Sequence, residues 1–265
     1  MTADRVPVHH ADADLSRRFS GLERLYGVAG ADRIRGAHVA VIGLGGVGSW
    51  AAEALARSGV ARLTLVDLDH VAESNLNRQI QALDSTVGQA KVLAMQARIA
   101  DIHPGCHVDA VEAFVEPDNW PAVLPAVPDA VIDACDQMRA KTAIAAWCLR
   151  ERVPLVVAGA AGGKRLAHLV DIADLAATTH DPLLAQLRYR LRRAHGAPRD
   201  GRPIGVTCVF SREAVRPPDA SCGVLGDGSL NCHGYGSVVS VTATFGLCAA
   251  GWVFEHLAQR RSERK

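Results

Sequence analysis

Three clusters of residues in this 265-residue chain have the types and spacing to do chemistry on a phosphorylated ligand. The first is the loop GLGGVG, where Gly43, Gly45, Gly46 and Gly48 follow the apolar run HVAVIG (38–43) and open the Ala/Leu-rich stretch SWAAEALARSG, which Gly59 is placed to stop. Glycines permit a tight turn and let backbone amides approach a phosphate at the positive end of a helix. The second cluster, DLDHVAESNLNRQI, carries Asp67, Asp69, Asn75, Asn77, Arg78 and Gln79, and VGQAK adds Lys91 at the start of the next helix. The third, VIDACDQMRAK, puts Asp133 and Asp136 at a strand end, with Arg139 and Lys141 on the helix that follows.

The glycine loop alone does not choose among NAD, FAD and ATP. Asp67 stands roughly 20 residues beyond it, where a dinucleotide fold places its ribose-binding acid, so a nicotinamide oxidoreductase is the first reading. The second cluster argues against hydride transfer, which has no use for so many charged groups. A nucleoside triphosphate does use them: Asp67 can hold the ribose hydroxyls, while Arg78 and Lys91 bind phosphate with hydrogen bonds that strengthen as charge builds in the transition state. An aspartate beside a triphosphate fits a magnesium ligand, and Asp136 is the candidate. Asp133 serves equally well as a cap for the following helix.

The elements that must position these clusters are legible in the apolar pattern. Buried strands are expected at 38–43, 62–69, 107–115, 128–134 and 154–160, with helices near 86–101 and 137–151; HLVDIAD and GVTCVFSRE read as later strands. The alternation predicts one α/β domain over 1–265, a Rossmann-like, doubly wound, mostly parallel sheet with helices on both faces. Its nucleotide-binding half spans about 30–165. Residues 166–265 supply the later strands, an Arg-rich insertion and a C-terminal helix. The uncharged run from Gly234 to Phe254 is long enough for a membrane span, but its Ser, Thr and Gly content favours a core or interface helix.

With 49% hydrophobic residues the chain can bury a sizeable core. Its formal net charge of +1 leaves any affinity for a polyanion to a local patch. The densest is RYRLRRAHGAPRDGR, where Arg188, Arg192 and Arg193 can share a helix face and Arg199 and Arg202 follow in a loop; Lys164, Arg165 and the tail from Arg260 extend it. Seven cysteines without a C-x-x-C pair, and an N-terminus without an apolar signal segment, fit a reduced cytoplasmic protein without a four-cysteine zinc site. Cys106, Cys135, Cys148 and Cys248 read as core residues. Cys208, Cys222 and Cys232, the last beside His233, leave a sulfur-transfer or thioester role open.

Taken together, GLGGVG, D-x-D with N-x-N-R-Q, the Lys of VGQAK and D-x-x-D-x-x-x-R resemble the ubiquitin-activating-enzyme-like superfamily, the ThiF, MoeB and HesA group, which adenylates carboxylates. Within it, SRRFSGLERLYG, NRQIQAL, GAAGG, DPLLAQLR, CVFS and VTATFG are similar to the branch that dehydrates threonylcarbamoyladenosine in tRNA, over roughly residues 15–258. That resemblance implies ATP and magnesium as cofactors, adenylation and cyclisation of the threonyl carboxylate, a tRNA partner and a homodimer. It also implies a cysteine desulfurase with its sulfur acceptor as possible company. The arginine that relatives lend to their partner's ATP site aligns with Gly21, and Arg24, one helical turn later, is the candidate substitute. An activator of a ubiquitin-like sulfur carrier is the alternative, although the zinc cysteines usual there are absent.

Overall fold

A computed structural model describes residues 13–219, 221 and 235–259. Two N-terminal helices, α1 (Leu15–Phe19) and α2 (Gly21–Arg35), lead into β1 (His38–Ile42), α3 (Gly48–Arg57), β2 (Arg62–Val66), α4 (Lys91–Ile102) and β3 (His107–Val111). Then come β4 (Ala130–Asp133), α5 (Met138–Glu151), β5 (Leu155–Ala158), β6 (Val170–Asp174), α6 (Pro182–Ala194), β7 (Thr207–Ser211) and α7 (Val239–Gln259). The strands form one seven-stranded sheet in the order β3-β2-β1-β4-β5-β7-β6. All neighbours are parallel except β6, which runs antiparallel to β7 at the edge. The central strands HVAVI, AVID and LVVA are buried at every position, which is why they read as continuous rather than alternating apolar runs.

Helices cover both faces, as the alternation required. On one side Ile34, Leu55, Met95 and Phe245 pack from α2, α3, α4 and α7; on the other, Ile144 and Trp147 of α5 meet Leu184, Leu187 and Leu191 of α6. The uncharged C-terminal run is therefore a core helix. Its Gly246 lies so close to α3 that a Cβ there would stand 2.4 Å from the Val47 carbonyl oxygen. Among the described residues no helix is long and apolar enough to cross a membrane.

The largest differences from the sequence reading are at three boundaries, while β4 and β5 are each shorter by one or two residues at either end. The second strand stops at Val66, so the D-x-D acids sit on a loop, and the third stops at Val111. The helix expected from 86 begins only at Lys91. Before it, the Thr86 hydroxyl donates to Gln81 O and closes a short turn, and Gly88 at φ +86° breaks the helical path.

Towards the amino-terminal ends of the strands, His38 is buried with Nε2 2.8 Å from Thr64 Oγ1, while Asp109 accepts from Arg62 and Thr64. Burial, with Arg62 nearby, holds His38 below the usual histidine pKa against the pull of Asp109 and Asp129; burial does the same to His103. The unfolded chain takes up these protons near pH 6.5 and the folded chain only at lower pH. Both imidazoles therefore contribute stability that is full above about pH 6.5 and is lost as the pH falls through their folded values. The urea midpoint should drop between pH 7.5 and 5.5, and His38→Gln should lessen that drop. An equal drop in the variant would remove His38 from this account.

Candidate nucleotide-binding site

The carboxyl ends of β1, β2, β4 and β5 open on a cavity of about 430 Å³, within the usual range for small-ligand pockets. Gly43, Gly45, Gly46, Asp67, Asp69, Asn75, Arg78, Gln79, Lys91 and Asp136 all line it, so the three sequence clusters converge on one space. Gly48 does not line it. Its part is in the turn: a Cβ at position 48 would fall 1.8 Å from the Gly43 carbonyl oxygen, and Gly43 itself sits at φ +87°, where a Cβ would stand 3.0 Å from the Ala134 carbonyl. Only glycines close this strand-to-helix passage and bring the start of α3 up to the cavity.

The second cluster is fastened to that loop. Asp67 Oδ2 accepts from Leu44 N (2.6 Å) and Oδ1 from Asp69 N (2.8 Å). Gln81 Nε2 donates to Leu44 O and Trp50 Nε1 to Arg78 O, both at 2.9 Å. Asp67 is thus first a clamp on the glycine loop. Burial pushes its pKa up, against the pull of Lys91 and the two amides. Asn75 Oδ1 accepts from Ala72 N and closes a short turn, while Gln79 Oε1 accepts from Gln81. Sequence reasoning did not single out Gln81 and Trp50, which act through backbone groups brought close only by the fold.

Arg78 is 8% exposed and packs its stem beneath Gly46. Its Nη1 donates to Ser74 O and Asn77 Oδ1 at 2.8 Å, but Nε is buried with no partner. A buried donor left unpaired is costly, and beside this cavity an anionic ligand would satisfy it. Lys91, 6% exposed, holds Nζ 2.7 Å from Asp69 Oδ2. Asp136 is exposed on the loop after β4, a free carboxylate of the hard-oxygen kind that magnesium takes together with phosphate oxygens. These residues fit a nucleotide with its metal.

Asp133 and Lys141 depart from expectation. Neither has any solvent exposure, and Lys141 turns inward to place Nζ 3.0 Å from Asp133 Oδ1. Asp133 does not cap α5; the same oxygen accepts from Cys135 N (3.1 Å) and faces Cys135 Sγ (2.9 Å). Burial opposes the Lys141 charge, but Asp133 beside it prevails and holds the ammonium above the ordinary lysine range. The described cysteines offer no activated thiol. Burial pushes Cys106 up to about 12 and Cys135, Cys148 and Cys208 upward too. Cys222, Cys232 and His233 lie outside the described residues.

The arginine stretch divides. Arg188 Nη1 donates to Leu175 O and to Thr178 O and Oγ1, and Arg192 Nε to Pro198 O, so both hold their own backbone instead of facing a partner. Arg193, Arg199 and Arg202 are exposed, and Arg24 is exposed on α2. Lys164, expected to extend the patch, is 1% exposed and gives its ammonium to the carbonyls of His180 and Glu213. Most of the basic tail, 260–265, lies outside the described residues.

The ThiF family model matches residues 16–264. The tRNA threonylcarbamoyladenosine dehydratase of Escherichia coli K12 is 41% identical over 257 residues, 94% of this chain and 96% of its own. That of Haemophilus influenzae Rd is 38% identical over 248 residues, 93% and 95%. The crystal structure of the E. coli enzyme, TcdA, in complex with ATP superposes with a TM-score of 0.84 at 42% identity, over 92% of this chain and 96% of that one.

Gly48→Ala drives a methyl group into the Gly43 carbonyl, so the loop must open. ATP affinity should fall about tenfold or more, the equivalent of an overpacking cost of about 1–3 kcal/mol, with circular dichroism unchanged. Wild-type affinity in a calorimetric titration would show that the loop does not need this contact.

Proposed function

Because the chain belongs to the ThiF family, we propose that it is an ATP-dependent tRNA threonylcarbamoyladenosine dehydratase, which cyclises the threonyl carboxylate of the modified nucleoside. The observation that carries this reading is the end-to-end likeness to two dehydratases, over at least nine-tenths of each chain. The cavity chemistry agrees with it.

A carboxylate is a poor electrophile. In the first step one of its oxygens attacks the α-phosphorus of ATP, giving a mixed anhydride and pyrophosphate. In the second, the urea side of the same molecule attacks the acyl carbon, the acyl–oxygen bond breaks and AMP leaves with that oxygen. The substrate has then lost the elements of water, and no atom in the balance comes from a sulfur donor or a protein thiol.

The chain's share is positioning and electrostatics. The glycine-loop amides and the start of α3 receive the phosphates, and Arg78 Nε and Lys91 Nζ stabilise charge on the departing pyrophosphate. Asp136 would hold a magnesium ion, whose charge would neutralise and orient the phosphates. Ile42, Val66, Phe114, Val115 and Leu183 supply apolar walls that limit water around the anhydride. A homodimer belongs to the same proposal: Leu25 and Val28 expose apolar surface on α2 beside Arg24, the cation suited to reach across. A tRNA substrate places the work in the cytoplasm.

AMP release from ATP, magnesium and threonylcarbamoyladenosine-bearing tRNA tests the reaction. Lys91→Ala and Arg78→Ala should each lower it by about two to three orders of magnitude, and Asp136→Asn should remove magnesium-dependent turnover while sparing magnesium-free ATP binding. Wild-type rates in all three variants would end these assignments.

For tRNA, replacing Arg193, Arg199 and Arg202 together by Gln should weaken binding and flatten its salt dependence by about one unit of log–log slope per lost phosphate contact. Arg188→Gln should instead lower the melting temperature. A triple variant with the wild-type salt slope would move the tRNA surface elsewhere.

A further inference from the structure

Lys141 and Asp133 touch neither nucleotide nor substrate in the mechanism above, yet both are wholly buried directly beneath the cavity. Lys141 Nζ lies 3.0 Å from Asp133 Oδ1, 3.5 Å from Asp133 O and 3.3 Å from Ala158 O. One ammonium therefore joins the carboxyl ends of two adjacent parallel strands, β4 and β5, at the register where Asp133 faces Val157. From those two ends leave the two loops that wall the cavity on this side: 134–137, which carries Asp136, and 159–162. Asp133 Oδ1 also holds Cys135 N, one residue before Asp136. The second loop is clamped from its other flank, where Asp181 Oδ2 accepts from Ala160 N (2.9 Å) and stands 2.1 Å from where a Cβ on Gly159 would be.

We infer that Lys141 is a positioning residue: by gathering the carboxylate and carbonyl of Asp133 and the carbonyl of Ala158 on one ammonium, it fixes the spacing of the two cavity loops and so aims Asp136 at the divalent cation that accompanies the nucleotide. Stability alone is a poor reason for such a pair, since apolar residues of similar volume commonly serve as well without the desolvation cost. What an ion pair adds is a fixed geometry, and here it is spent at the strand ends that carry the metal-facing carboxylate. Removing a partner one step behind a metal ligand typically costs about 10–100-fold in metal affinity or activity.

This inference rests on the nucleotide–magnesium reading of the cavity. Its test is the double variant Lys141→Met with Asp133→Asn, which removes both charges together. Binding of ATP is titrated calorimetrically without magnesium and across a magnesium series. The variant should keep magnesium-free ATP binding, while the magnesium concentration that half-maximally tightens ATP binding rises about tenfold. An unchanged magnesium midpoint in the folded variant overturns the positioning role. If the double variant does not fold, Asp133→Asn alone, which keeps the acceptor oxygen and removes only the charge, should show a smaller rise in the same direction, and no rise overturns the role. Failure of both to fold assigns the pair to stability and overturns it as well. Magnesium-insensitive ATP binding by the wild-type chain would overturn the nucleotide–magnesium reading and this inference with it, an outcome distinct from a sensitive wild type beside an equally sensitive variant.

Discussion

The passage from β1 into α3 closes only if position 48 has no side chain, because a Cβ there would stand 1.8 Å from the Gly43 carbonyl oxygen. Much else hangs from that contact. It sets the direction of α3, and with it the face on which α7 packs through Gly246. It also exposes the Leu44 amide and carbonyl to Asp67 and Gln81, which tie the second cluster to the loop. A bulkier turn would cost packing at α7 and phosphate-binding geometry at once. One steric constraint thus couples the stability of the sheet to the shape of the cavity.

The sheet was readable in the sequence because its central strands are buried on both faces and so appear as unbroken apolar runs bounded by Gly, Pro and Asp. The cavity-lining residues were readable because a phosphate site needs glycines, acids and cations at fixed offsets along one chain segment. Less legible was where each polar group spends its bonds. Lys91 and Lys141 look alike in sequence, each opening or entering a helix. One faces the cavity beside Asp69; the other is sealed against Asp133 and Ala158. Nothing local separates them, since the carbonyls that receive Lys141 come from strand ends brought close only by the fold.

The same reason explains the arginine stretch. A run of cations predicts a solvated or polyanion-binding face by composition, but Arg188 sits nearly two turns into α6, within reach of the Leu175 and Thr178 carbonyls just past the end of β6. Lys164 is drawn inward in the same way by His180 and Glu213. Buried or half-buried cations here act as cross-braces on carbonyl groups that no strand or helix partner satisfies. Among the described residues of this stretch, the charge left exposed is smaller than the sequence suggests and lies at the end of α6 and in the loop after it.

Charge balance inside the cavity bears on the proposed metal beside the nucleotide. Among the described residues that line the cavity, Arg78 and Lys91 are the cations and Asp67, Asp69 and Asp136 the acids, and Lys91 is already engaged with Asp69. A triphosphate entering this space meets more negative than positive charge. A single like-charge contact at about 4 Å costs on the order of 4 kcal/mol at an effective dielectric of 20, and the start of α3 returns only about half a unit of positive charge. The described lining groups of one chain therefore fall short of balancing the ligand. A dication held by Asp136 would reverse the sign of that shortfall, so that the acid would hold the nucleotide instead of repelling it. A dinucleotide with two phosphate charges would gain little from an exposed carboxylate at this point. The placement of Asp136 thus makes sense for a ligand that arrives with more charge than Arg78 and Lys91 can meet.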